Sequence, residues 1–457
     1  METIYNIMAV LINKVNLSNK YDDFFTKSKK VHDLAVSEIK QKIPEIFLED
    51  GSLEIDALTI DIIKDNNFIV RLKHLANEYI REENSFKLLK LLQVLDSSVK
   101  YLIKISCEDD EGYKEIIALN TNYDDTDILL LPYVKCFWKR HSNGSQHGYK
   151  INHCLQNTYY IIKSDLKDLT VKHLYLNEAL FLNAIQNKRL KVACSPVTNN
   201  AVIDKIETIE DVEGNSLFFI SKIKNKELIQ KKILEIIEEA KRRNVDILVF
   251  PEILGFEELT MEAIELITNN ILENYPPLIV LPTVWKDYSN ASDVIIENGR
   301  LIIKQAKQNP MNFNGANEYI IPDKILYVIH AFGIGRICIL ICKDMLVFDY
   351  LDIILEDAQA SLIIVPSFST GNYDFQNAIA RCQAYDCDVV WINSCAAIHL
   401  APSKTDNFKI IGIILESGKG SNNSVNFCQN EKCKNCDLRM CMFEHEIRLD
   451  YNRSIIA

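Results

Sequence analysis

The sequence predicts a mixed α/β fold over its C-terminal two-thirds, preceded by a largely helical region. Three observations point there. Short apolar runs, such as Asp246–Glu252 (DILVFPE) and Arg336–Asp344 (RICILICKD), read as strands buried on both faces. Lys226–Arg243 places Leu228, Ile229, Ile233, Ile236, Ile237 and Ala240 at the spacing of an amphipathic helix. Turn signals at Gly299 and at Gly333–Gly335 join neighbouring runs as hairpins. Strands alternating with helices, interrupted by hairpins, mean mixed sheets covered by helices.

Taken in order, residues 1–187 are expected to form a mainly helical accessory domain. Asp56–Ser106 is helical in period, with FKLLKLLQVL at Phe86–Leu95 as its clearest stretch, and short strands are expected at Glu115–Ala118 and Asp127–Pro132. The pattern changes after Asn187, so 188–457 forms the second domain. The helix Lys226–Arg243 leads into the strand Val245–Phe250, then a helix over Leu259–Leu272. Strands follow at Leu278–Leu281, Val294–Glu297 and Leu301–Gln305, then a hairpin of Tyr327–Phe332 and Arg336–Ile341. A helix over Phe348–Ala358, a strand at Leu362–Pro366, a helix over Phe375–Tyr385 and a strand at Val389–Asn393 complete the alternation.

A chain of 457 residues with 48% hydrophobic and 25% charged residues has the composition of a soluble globular protein. A formal net charge of -12 argues against holding nucleic acid or an anionic membrane. No apolar stretch approaches the ~20 residues of a membrane span, and the N-terminus lacks a basic leader and a small-residue cleavage site. The expected location is the cytoplasm, where most of the thirteen cysteines read as reduced thiols.

Three strand-like runs end in chemistry. Pro251 stops one and delivers the Glu252 carboxylate, NGRLIIKQAK carries Lys307 out of its far end, and RICILICKD ends in the Cys342 thiol. A base, a cation and a sulfur nucleophile are what acyl transfer needs. In this order and these strand contexts they resemble the nitrilase superfamily of carbon–nitrogen hydrolases. LKVACSP (Leu190–Pro196) resembles the opening strand of such a domain. VPSFSTG (Val365–Gly371) and ARCQAYDCDVVWINS (Ala380–Ser394) resemble its site wall and arginine-bearing helix, with Arg381 and Asn393 as structural supports.

The resemblance implies an αββα sandwich and assigns roles. Glu252 would be the general base, Cys342 the nucleophile, and Lys307 would hold the oxyanion with the backbone N–H of Lys343. Lys307 is preferred to Lys304 because its offset after Gly299 matches the family. Glu318, in NEYIIP, resembles a second glutamate that orients lysine and substrate. A helix start after Cys342 is expected to favour the thiolate. Two departures stand out. Lys343 replaces an aromatic or acidic residue, lines the pocket and points to an anionic substrate. Ile398–Lys419 lacks the family's Gly-x-Ser strand that closes the second sheet. The implied function is a thiol amidohydrolase cleaving an amide, carbamoyl or nitrile C–N bond through a thioester, with no cofactor for catalysis. Two rival classes remain: a non-catalytic binding or regulatory protein on the same fold, and a defence or signalling effector with a fused domain of this kind.

Cys428, Cys433, Cys436 and Cys441 form C-x4-C-x2-C-x4-C, which contains the knuckle and extra thiolates of a structural zinc site, with an iron–sulfur cluster as alternative and ordinary loop thiols as the bland reading. His141, His147 and His153 read as solvated loop residues. The partner expected is a small-molecule substrate. A homodimer or larger assembly is expected through the helix after Cys342, where Val347, Phe348, Tyr350, Leu351, Ile353 and Ile354 are more apolar surface than one face can hide.

Overall fold

The computed structural model describes residues 3–18, 22–50, 52–56, 58–107, 112–136, 151–197, 203–270, 273–400, 410–417, 424–427 and 441–449. They gather into two compact units. The first is drawn from Met1–Val134, His141–Lys167 and His173–Asn177, the second from Lys135–Arg140, Asp168–Lys172 and Glu178–Ala457.

Helices dominate the first unit. The briefly apolar N-terminus is itself a helix, Ile4–Ser18, and it packs with Lys29–Lys42, Asn66–Arg81 and Ser85–Ser98. The last two begin where side chains satisfy otherwise orphaned N–H groups: Asp65 accepts from the Asn67 N–H and Asn84 from that of Lys87. Met8, Leu11, Leu89, Leu92 and Leu95 are completely buried in a single core. An antiparallel pair, Ile128–Pro132 with Thr158–Ile162, joins them. The buried Asp96 carboxylate ties helix to strand by accepting the Thr158 N–H and hydroxyl at 2.8 and 2.7 Å.

The second unit is labelled here in chain order. Its elements begin with β1 (Arg189–Cys194), β2 (Ile203–Glu210), β3 (Ser216–Ile223), α1 (Lys226–Arg242), β4 (Ile247–Val249) and α2 (Glu257–Thr268). Next come β5 (Leu278–Val280), β6 (Val284–Lys286), β7 (Ser289–Ile296), β8 (Leu301–Ala306), β9 (Asn312–Phe313) and β10 (Ala316–Glu318). After them lie β11 (Ile325–Ala331), β12 (Gly335–Ile339), α3 (Phe348–Asp352), β13 (Leu362–Ser367), α4 (Tyr373–Ala384) and β14 (Asp388–Asn393). The chain closes with β15 (Gly412–Leu415), β16 (Ser424–Phe427) and β17 (Phe443–Arg448).

Two sheets carry the unit. One runs β6–β7–β5–β4–β1–β17 with β8 also on β7; in the other, β11–β12–β13–β14–β15–β16 are neighbours. Each has three parallel strands at its heart, β1–β4–β5 and β12–β13–β14. Ala193, Leu248, Ile279 and Ile295 pack under α1 and α2, whereas the alternating Val192, Ile247, Val249 and Val280 are equally buried on the opposite face. The other sheet repeats this: Cys338, Ile363, Val389 and Trp391 meet the helix side, and Ile337, Leu362, Ile364 and Val390 are buried behind them. Helices outside and two buried inner faces make an αββα sandwich.

Three elements depart from the sequence expectation. The sheet that seemed to lack its closing strand has one: β15 pairs antiparallel with β14 and is itself covered by β16. The helix after Cys342 is broken, a one-turn 3₁₀ segment and the short α3 running into a π-helical turn at Ile353–Asp357. Its Leu351, Ile353 and Ile354 are consumed by the unit's own core, leaving Phe348 exposed under the Arg381 guanidinium. The apolar excess that suggested a dimer is therefore largely internal. Finally, β2 and β3 form an unexpected hairpin that joins β9 and β10 in a small third sheet, in the order β9–β10–β3–β2.

Candidate active site

Strand ends build the site. After β4 the chain runs through Phe250 and Pro251 to Glu252, whose N–H reaches the Ser367 carbonyl at the end of β13. Ile253 follows at φ 76°, a left-handed conformation that a β-branched residue rarely adopts. The Thr283 hydroxyl holds it there by accepting the Ile253 N–H at 2.7 Å. Lys307 continues β8, its N–H on the Asn290 carbonyl of β7 at 2.8 Å. Cys342 opens the 3₁₀ turn beyond β12 with φ 50°.

These placements converge. The Lys307 ammonium lies 2.8 Å from Glu252 Oε1 and 2.7 Å from Glu318 Oε2. Lys304, the competing lysine, is exposed and 4.0 Å from Asp293. Glu252 Oε2 accepts the Phe368 N–H at 2.9 Å, and the same carboxylate lies close enough to the Cys342 thiol to act on its protonation. Glu252, Lys307, Glu318 and Cys342 are all at most 4% exposed. Lys343 is half-buried, and neither it nor Cys342 is among the described residues that line the cavity beside these groups.

Two residues not singled out by sequence hold this arrangement. Asn290 Nδ2 donates to Glu252 Oε1 at 2.8 Å and to Glu318 Oε1 at 3.1 Å, fixing the two carboxylates on either side of the ammonium. Asp344 accepts N–H groups from Gln308, Asn309 and Ile341, at 3.0, 2.7 and 3.2 Å. It thereby pins the segment after Lys307 to the turn that carries Cys342. Arg381 makes a two-pronged pair with Asp352 at 2.6 Å, and Asn393 clasps Ser369 through N–H and carbonyl, both at 2.8 Å.

Burial shapes the protonation states. Desolvation raises the Glu252 pKa, and the Glu318 charge adds to it while Lys307 opposes it. For Lys307 burial works toward neutrality, but Glu252, Glu318 and Cys342 outweigh it and keep the ammonium charged. Burial, followed by the Glu252 charge, pushes the Cys342 thiol well above its ordinary value, against the pull of Lys307. The expected helix-start preference for thiolate is thus outweighed: burial first, and the facing Glu252 carboxylate second, favour the neutral thiol. A neutral thiol beside a base of raised pKa is poised to lose its proton during attack.

A cavity of about 40 Å³ opens beside Glu252, Lys307 and Glu318. A larger open groove of about 720 Å³ between α1 and α2 is lined by Glu235, Glu238, Glu262 and Glu265, with no nucleophile among its described residues. Among the described residues no group of three or more His, Cys, Asp or Glu could hold a metal. The proposed cluster is not tested by this, since Cys428, Cys433 and Cys436 lie outside the described residues and only Cys441, half-buried, lies within them. His141 and His147 lie outside them too. No described helix is long and apolar enough to cross a membrane.

No known family model and no curated protein sequence matches this chain. Solved structures do. An amidase from Nesterenkonia sp. aligns at 12% identity and a TM-score of 0.37, covering 57% of this chain and 91% of its own. The NitFhit protein of C. elegans aligns at 16% identity and 0.38, over 57% of this chain and 61% of its own. A glutamine-dependent NAD+ synthetase from Acinetobacter baumannii aligns at 13% and 0.38, over 57% of this chain and 45% of its own. A functional reading has to come from the site itself.

Proposed function

We propose that this protein is a thiol amidohydrolase of nitrilase type, cleaving a non-peptide C–N bond with Cys342 as nucleophile, Glu252 as base and Lys307 as electrophilic support. The observation that carries the reading is the convergence of these three buried side chains from three separate strand ends: Lys307 pairs with Glu252 at 2.8 Å, and Cys342 lies within electrostatic reach of both. For an amide, the Cys342 sulfur attacks the carbonyl carbon as Glu252 takes the thiol proton. The charge that develops on the carbonyl oxygen is met by the Lys307 ammonium, with the Lys343 N–H as the second donor. Glu252 then returns the proton to the departing nitrogen, the C–N bond breaks, and a thioester with ammonia or an amine remains. Glu252 next accepts a proton from water as its oxygen attacks the thioester. Collapse releases the carboxylic acid and restores the thiol.

Glu318 orients Lys307 and offsets its charge. A base with a raised pKa suits both halves of this cycle, since it must take a proton and give it back near neutrality. No step requires a cofactor. The test is to incubate the protein with primary amides, carbamoyl compounds and nitriles, follow ammonia release, and search acid-quenched digests for an acyl group on Cys342. Turnover and the adduct should both vanish in Cys342→Ala. Neither ammonia nor adduct with any of these compounds would leave a binding protein on a hydrolase fold.

A further inference from the structure

The hairpin β2–β3 belongs to neither main sheet, yet it forms part of the catalytic cavity. Its attachment is specific. β3 lies parallel to β10 with Leu217 opposite Asn317 and Phe218 opposite Glu318, and the Phe218 carbonyl accepts the Tyr319 N–H at 2.8 Å. Phe218 is thereby set in register with the glutamate that pairs with Lys307. Its ring meets Trp285 and Phe313 with centroids 6.1 and 5.9 Å away, and Ile206 and Ile220 of the same hairpin complete this side of the cavity.

We propose that this hairpin sets the specificity of the site, restricting the acyl group to one that is small, uncharged and apolar. The inference rests on the amidohydrolase reading above and names its substrate class. Size comes first: one water needs about 10–15 Å³ of such space, so about 40 Å³ admits only a small group, on the order of three non-hydrogen atoms. Polarity comes second. Among the described residues, those lining the cavity other than Glu252, Lys307 and Glu318, which the chemistry occupies, are uncharged. A glutamine or other amino-acid amide would bury an ammonium and a carboxylate there, against a lining whose described residues offer no further counter-charge. An anionic acyl group, the expectation raised by Lys343, meets the same objection because that lysine is not in the wall.

The experiment compares kcat/KM for propionamide and isobutyramide with that for glutamine, succinamate and benzamide, in the native protein, Phe218→Ala and Phe218→Leu. Binding of propionamide and glutamine to full-length Cys342→Ala is measured by calorimetry in parallel. Native protein should favour propionamide over glutamine and succinamate by at least about 100-fold. Trimming Phe218 should raise benzamide relative to propionamide by about 10-fold or more, leaving glutamine poor, with Phe218→Leu as the milder and better-folded variant. Glutamine turned over as efficiently as propionamide overturns the inference and leaves the hydrolase reading intact. Selective propionamide binding by Cys342→Ala, with no turnover by native protein, supports the specificity assignment while removing the hydrolase. Equal binding of the two ligands, or none of either, overturns it.

Discussion

Cys342 and Ile253 are both non-glycine residues held in left-handed backbone, at φ 50° and 76°; the first is the proposed nucleophile and the second follows the proposed base. Such conformations cost about 1–3 kcal/mol each and survive only where the surroundings over-determine them. Here the Thr283 hydroxyl and the Asp344 carboxylate do so. Three outcomes belong to this scale. Lys307→Met should lower kcat by about 10²–10³-fold, the usual cost of one oxyanion donor. Burial raises Glu252 above the 4.5 of an ordinary glutamate, and its ionised form is the base. Activity should therefore fade, as pH drops, through a midpoint above 4.5, and a limb centred at or below that value would contradict the burial. Asn290 is a positioning residue: Asn290→Ala frees both carboxylates, so kcat should drop with little change in KM and the acid limb should shift, whereas a purely structural loss would move the melting temperature alone.

The candidate catalytic residues were legible because each ends an apolar strand, and a polar side chain at such an end has few other reasons to be there. Asn290 and Asp344 were not, since a bridging amide or a carboxylate gathering N–H groups is defined by partners distant in sequence. The elements divide similarly. The parallel core strands are continuous apolar runs and read easily. The β2–β3 hairpin does not, because Ile203, Ile206 and Ile209 recur every third residue, and a register irregularity around Lys205 absorbs the mismatch with the pleat. Its partner β10 is only three residues long. Loop geometry between elements is equally exacting at Gly255, where a Cβ would stand 2.4 Å from the Pro282 carbonyl oxygen and 2.7 Å from that of Thr283. Gly255→Ala should cost about 1–3 kcal/mol of stability, as overpacking does, and should displace Glu252 enough to reduce kcat. A variant with native melting and native rate would show that the loop has room to give.

At the scale of the molecule, each unit has a core of its own. Leu92→Ala, at a fully buried position of the helical unit, should cost about 2–5 kcal/mol. Measured well below the melting transition, it should leave kcat unchanged, and a matching loss of rate would tie the helical unit to the chemistry. The homodimer remains a proposal for light scattering to decide, now with Phe348 as its one exposed anchor on the helix after Cys342.

The pairing of β17 with β1 has a further consequence, which concerns time. Arg189 and Glu446 bond across this pair although 257 positions separate them in the chain. A ribosome adding about 5–20 residues per second emits β1 on the order of ten to fifty seconds before its neighbour exists. During that interval an apolar strand waits with one flank unpaired, and the first sheet cannot close until almost the last described residue has been made. Shortening the chain ahead of Phe443 would leave that flank open for good, which makes β17 a guard against self-association along β1.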